Sequence, residues 1–480
     1  MSDQQPSGRR ADRSGAPQGG GRRAESGRNR KIDVVVVLAM ILPTVVVVAV
    51  AVNEDDSLPA STLRPPTSAP LTDAAVVCPG AAVPGDVSLT RSPGVQGGRV
   101  EVRTGTTRLD AGSPVDVVPD RVATVQEDSA PVEISGHDAA APGLVAGRGG
   151  PTAPAECRPP AFDEWFVGLG AAARNSSELE LVNPDGGRAI VDIALYGPHG
   201  PVKSEDLRGI TVGPHEVSTF DLSKTIPRRV DLAAHVTVTQ GRVVTTFRHT
   251  IDLLGQSRVT TDYRLSQAQP QTENLLLGVP DSGPRRLFVM NPGQDELRAQ
   301  VQIVTKDATF TPEGAKDIVV GPEEQGWVNL DSYLPKDAMK DSLGLLVTSS
   351  EPAAVGVRTL VGDDVAQFSS LPRIESDAVA VLPTGEKRLV LGDAERTGVV
   401  HVTSTDASGK VLDTQDVQVG AGRGSEVDLP AEAVAVTVES RTTPVAGEVL
   451  VSGPASDPGL GVVRLRDAEV AAEVPVVRPD

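Results

Sequence analysis

In the stretch LELVNPDGGRAIVDIALYG, Leu179 to Gly197, apolar and polar residues alternate up to an Asn-Pro turn and then alternate again. LFVMNPGQDELRAQVQIV, Leu287 to Val304, repeats that plan. A period of two sends successive side chains to opposite faces of a pleated strand, so each stretch predicts two antiparallel strands joined by a turn. Pro presets φ at the second turn position, Asn bonds back to the local backbone, and Gly accepts positive φ. Asn183-Pro184 and Asn291-Pro292 are therefore read as turn residues and not as a site.

The plan recurs elsewhere. VSLTRSPGVQGGRVEVRT, Val87 to Thr104, carries Ser92-Pro93-Gly94 at the turn, and Arg388 to Leu412 keeps the strand, turn, strand order without the proline. Later segments also align, and taking Val125, Val238, Val347 and Val438 as equivalent gives spacings of 113, 109 and 91 residues. Four units of about a hundred residues are expected. In the clearest unit, strands are read near 179–182, 189–196, 209–212, 217–221, 233–239, 243–250 and 258–263. Short strands with a turn signal every eight to twelve residues, roughly, predict antiparallel sandwiches of immunoglobulin-like size. The fold class expected is all-β, in tandem, with β domains over 76–160, 161–268, 269–374 and 375–475. A propeller would need repeats of about half this length.

The segment IDVVVVLAMILPTVVVVAVAV, Ile32 to Val52, changes the picture before these units begin. It is long enough at helical rise to cross a bilayer core, and Pro43 is compatible with a membrane helix. The residues before it, Met1 to Lys31, hold eight Arg or Lys against three acids and too little apolar surface to fold. Positive charge stays on the cytoplasmic side, so the expected topology is a disordered cytoplasmic tail (1–31), one transmembrane helix (32–52) and an extracellular remainder. Ala49 and Ala51 also fit a signal-peptidase site, and the length of the apolar run favours a retained anchor. Residues 53–75, rich in Pro, Ser and Thr, are read as a semi-rigid linker.

Composition adds an aliphatic core and a compartment. The chain has only seven Phe, three Tyr and two Trp, and its apolar residues are chiefly Val, Ala and Leu. Two cysteines, Cys78 and Cys157, both follow the apolar segment; an even pair in an exported region is expected to be a disulfide. Closing a loop of about 80 residues is worth about 4 kcal/mol on chain-entropy grounds. Net charge is −19, and removing the tail's +5 leaves −24 for the rest. Such a surface repels nucleic acid, which is excluded as a partner, whereas the tail sits beside the cytoplasmic membrane.

EWFVGLG, Glu164 to Gly170, followed by the strand ending in Asn183-Pro184 and by ALYGPHG, resembles the Trp-aromatic-aromatic-x-Gly-Gly … Asn-Pro pattern of an actinobacterial domain-of-unknown-function family, family 5719. Val167 stands where that pattern has an aromatic, and Leu169 separates the glycines. The resemblance implies a membrane-anchored or secreted β-rich envelope protein. It implies no catalytic residue.

Candidate chemistry is sparse. His199 and His215 both follow Gly-Pro, but zinc needs three or four ligands, so no metal site is assigned. SGHDAA, Ser135 to Ala140, sets hydroxyl, imidazole and carboxylate in a row, yet triads assemble from distant positions, and a polar turn is the better reading. Asp363-Asp364 and Glu323-Glu324 are read as solvated turn carboxylates, since neither matches a calcium loop. Trp165 and Trp327 are both read as core residues, with Trp165 and Phe166 kept as a possible surface aromatic contact. No catalytic residue and no cofactor is expected. The function expected is that of a non-enzymatic scaffold or docking platform for an envelope protein; the alternative is binding of peptidoglycan or another cell-wall glycan.

Overall fold

A computed structural model describes residues 67–127, 129–252 and 259–474. The tail 1–31, the apolar segment 32–52 and the linker up to residue 66 lie outside the described residues. Among those described, no helix is long and apolar enough to cross a membrane. The end of the expected linker is strand: Thr67–Pro70 and Asp73–Cys78 are both extended, and the second pairs antiparallel with Val132–His137. Its Val76 and Cys78 are buried in a core, which fixes this short run against a sheet.

Residues 68–474 form one unit built from antiparallel sheets, and its helical turns are short. Four apolar clusters follow one another along the chain and are called modules; the third also takes in Val390, Ala446, Leu450 and Val462 from the region of the fourth. The first gathers Val87, Leu89, Val100, Val132 and Ile134, drawn from two sheets. In the second, Asn175–Val182, Ala189–Gly197, Ile210–Val212, Val217–Asp221, Arg229–Gln240, Val244–Asp252 and Val259–Arg264 are strands, close to the ranges the alternation gives. Strand Arg229–Gln240 runs between Asp163–Ala172 and Ala189–Gly197, and Leu179, Val191, Ile193 and Phe247 fill the core. The third module turns on one long strand, Gly344–Val361. Its first half pairs with Leu297–Val304 and its second half with Arg285–Met290, so a single strand serves both sheets. The fourth again uses two sheets around Leu389, Val400, Val438 and Val449.

Each Asn-Pro turn hangs on its asparagine. Asn183 is fully buried; its Nδ2 donates to the carbonyls of Gly187, Val212 and Gly213, and its Oδ1 accepts the Asp185 amide. Asn291 does the same with Asp295, Val320, Gly321 and Gly293. The offsets along the chain are identical. One amide side chain thus satisfies backbone groups of a tight turn and of a strand end thirty residues later, which water cannot reach.

The modules do not follow one another as a string. The fourth folds back on the first: Gly143 donates its amide to the Glu469 carbonyl at 2.8 Å, and Arg464 pairs with Glu156 at 2.6 Å. Cys78 and Cys157 are joined by a disulfide, which ties the first strand of the first module to the segment entering the second.

Trp165 is the core residue the alternation predicts, whereas the possible surface contact of Trp165 and Phe166 and the core placement of Trp327 are both overturned. Trp165 and Phe166 are 6% and 1% exposed, so neither forms a surface contact. Trp165 lies flat on His235 with centroids 4.0 Å apart, and Phe166 packs edge-on against Phe247 at 4.8 Å. Trp327, read as a core residue, is 40% exposed. It stands opposite Phe288 on the outer face of its sheet, where the second module covers Phe288 and stops short of the tryptophan.

Candidate functional site

The residues with chemical potential converge on the joints between modules. Strand Asp163–Ala172 carries the EWFVGLG motif and is buried on both faces. Phe166 and Leu169 enter the core of the second module, while Trp165 and Val167 meet Phe288, Met290 and Ala354 of the third. Strand Arg285–Met290 is two-faced in the same way, with Leu287 and Val289 turned into its own core. That is why LFVM reads as a continuous apolar run where strict alternation would be expected. Gly168 sits at the contact with φ +72°, and a Cβ there would come within 2.7 Å of the Phe288 ring. Its amide donates to Gln325 Oε1 at 2.9 Å, and its carbonyl accepts from Arg264. The first glycine of the motif is therefore an interface residue.

Three buried arginines seal neighbouring joints. Arg158 pairs with Glu164 and also donates to Ser266 Oγ and the Thr245 carbonyl. Burial opposes its charge, but the Glu164 carboxylate outweighs that and raises its pKa. Arg464 holds Glu156 and reaches the Ser266 carbonyl. Although burial would raise the Glu156 pKa, Arg464, Arg466 and Arg158 bring it down to about 2. Arg264 bridges Gly168 and Gln367; burial, with Arg358 nearby, pushes its pKa well down. Beside them Thr260 Oγ1 donates to Asp364 Oδ1 at 2.7 Å. Asp364 is thus a buried joint residue and not a solvated turn carboxylate, because it opens the strand Asp364–Ser369 that faces the second module. These bonds form only when both modules are in place, which makes each joint specific.

A Ser–His pair also forms, at positions the sequence did not single out. Ser177 Oγ lies 2.9 Å from His249 Nδ1, and both residues are buried. Burial holds the His249 pKa well below its ordinary value, with Arg264 and Arg358 adding to this, so the ring is neutral. Arg358 donates to Nε2, which places the ring proton on Nδ1, directed at Ser177. Ser177 Oγ also accepts the Gly170 amide at 3.1 Å. The buried hydroxyl is an acceptor inside the joint, and a nucleophilic serine needs the opposite arrangement, its proton given to the imidazole.

The remaining candidates lie apart. His137 of SGHDAA ends a strand and pairs with Asp73 at 2.8 Å. His199 is exposed in a turn, while His215 Nδ1 lies 3.7 Å from a Glu133 carboxylate oxygen. Among the described residues no cluster of His, Cys, Asp and Glu has the makings of a metal site. Burial drives the Glu133 pKa up to about 7, against the pull of Arg103, and pushes those of Asp262 and Glu448 well up too. Glu323 takes a positive φ of 53° at its turn, as His215 does at the matching turn of the second module. A cleft of about 170 Å³ opens between the first and fourth modules, lined in part by Ala146, Glu156, Val381 and Arg464.

Sequence reasoning missed Gln325, Arg264, Arg464 and the Ser177–His249 pair. A polar residue in a short strand looks the same in one sequence whether it meets water or a neighbouring module.

These features define an all-β protein of several antiparallel modules locked through buried polar joints. The chain belongs to a family of unknown function, DUF5719, whose pattern matches residues 139–430. The match opens inside the first module and closes inside the fourth. No curated protein matches the chain.

Proposed function

We propose that this is a non-enzymatic, single-pass protein of the cell envelope, its N-terminus cytoplasmic and its β modules outside, acting as a docking platform for another envelope component. The anchor rests on the apolar run Ile32 to Val52 and the basic tail before it. The modules are read as immunoglobulin-like sandwiches, a reading supported by the paired sheets around the first and fourth cores. One observation carries the docking role: the polar groups that could do chemistry, Ser177, His249, Glu164, Arg158 and Arg264, are bound into joints and hold the modules as one body. A rigid body of this kind presents a preformed surface and loses little freedom on binding.

The test is in-membrane cross-linking of the full-length protein. Reproducible recovery of one envelope protein is expected. Recovery of none under several cross-linking chemistries contradicts the docking role.

Binding of a cell-wall glycan is the second reading, favoured by the exposed ring of Trp327. Retention of the full-length protein on purified wall material, reduced by Trp327→Ala, is its signature.

A further inference from the structure

The second and third modules part at one end of their joint and leave a cleft of about 440 Å³. Four arginines line it, Arg174, Arg285, Arg286 and Arg358, in a chain whose net charge is −19. Their partners differ. Arg285 is committed to Asp331, and Arg286 shares Asp231 at 3.0 Å. Among the described residues, no carboxylate forms an ion pair with Arg358 or with Arg174.

Arg358 is the group that gives the cleft its chemistry. It is largely buried, donates to His249 Nε2 at 3.2 Å and lies 5.3 Å above the Phe288 ring centre. Its pKa is held down to about 10 by burial and by Arg286, with Asp231 pulling the other way, so at neutral pH it stays charged. The neutral His249 ring, itself fixed by Ser177, orients the guanidinium and leaves its other N–H groups for a ligand. A planar fork of this kind suits an oxyanion, and the gain is largest where the cation is desolvated and unpaired. Arg286 reaches away from the cleft, its guanidinium lying 4.1 Å over the ring of Trp327, a partly exposed residue outside the cleft lining. Asn329 and Ser332, also on the lining, add polar groups suited to hydroxyls.

The geometry points to a binding site for an acidic sugar, a sugar phosphate or a uronate, its oxyanion held by Arg358 and Arg174 and its hydroxyls turned to Asn329 and Ser332. Overall negative charge repels polyanions at a distance, so the site selects a ligand bearing a local anionic group on a largely neutral glycan. This sharpens the glycan reading and leaves the docking role untouched.

The test is calorimetric titration of the full-length protein with glucose 1-phosphate, glucuronate, inorganic phosphate and glucose at low salt, with Trp327 emission followed in parallel. Saturable binding of at least one of the two acidic sugars is expected, tighter than inorganic phosphate and absent for glucose. Arg174→Ala, at an exposed position, weakens it about tenfold or more. Arg358→Gln does the same while the thermal melt shows the variant folded. No saturable response to either acidic sugar, or one unchanged in both variants, overturns the site. Wall retention that persists without acidic-sugar binding removes this cleft alone, whereas acidic-sugar binding without wall retention removes the polymer reading alone.

Discussion

Gln325 Oε1 accepts the amide of Gly168 at 2.9 Å across 157 residues of chain. That bond joins the third module to the second at the centre of the EWFVGLG motif. Both residues are buried, and the contact is closed over by Phe288. Gly168→Ala places a methyl group against that ring in a backbone region that L-residues seldom adopt. A loss of about 1–3 kcal/mol is expected in urea unfolding of the full-length protein. A loss within about 0.5 kcal/mol, the range of an ordinary surface change, means that the close approach is not maintained.

Asn183 and Asn291 predict a matched pair of effects. Asn→Asp at either position keeps the shape and the Oδ1 acceptor but removes the two Nδ2–H donors that three backbone carbonyls share. Each change is expected to cost about 2–4 kcal/mol, since buried carbonyls lose their partner and a charge is buried beside them. Chemical denaturation of the two variants side by side checks both the size and the equality.

Glu133 predicts a pH dependence. Its folded pKa of about 7 stands above the ordinary 4.5 because the carboxyl is buried, so between those values the folded state holds a proton that the unfolded state has released. Its contribution is complete at low pH and is lost as pH rises through about 7. Melting temperatures measured from pH 4.5 to 8 should fall more for the native chain than for Glu133→Gln. Equal slopes rule out a shifted Glu133.

The two tryptophans report opposite surroundings. Acrylamide is expected to quench the emission of Trp327 and to leave that of Trp165, stacked on His235, largely untouched. Trp327→Phe should abolish most of the quenchable signal. Equal quenching of both contradicts the burial of Trp165.

Much of the fold was legible in the sequence because alternation survives wherever one face of a strand meets water. Ala189–Gly197, with its strict buried and half-buried alternation, is the clearest case. The joints were not legible. Outer-face residues such as Phe288 and Met290 are covered by another module, so period two gives way to an unbroken apolar run whose second partner cannot be named from spacing. Trp327 was misplaced for the same reason: it shares that outer face but lies just beyond the cover. Asp364 shows the converse, a polar residue that the sequence assigns to water and the packed modules bury, and Gln325 is buried in the same way.

Buried ion pairs at the joints predict asymmetric mutational costs. Glu164→Gln strips Arg158 of its carboxylate inside the joint and is expected to cost about 3–5 kcal/mol, far more than removing an exposed, solvent-screened pair such as Arg99–Asp116 by Asp116→Asn, which should leave the midpoint nearly unchanged. Denaturant midpoints of the two variants make the comparison.

The central claim, that the modules move as one body, is tested most directly by hydrogen exchange at the Gly168 amide in the full-length protein. If the joint is locked, that amide opens only with the core, and its protection matches that of a core amide such as Leu181 to within about tenfold. Exchange at Gly168 faster by several orders of magnitude, with Leu181 still protected, shows modules that swing freely and contradicts the account.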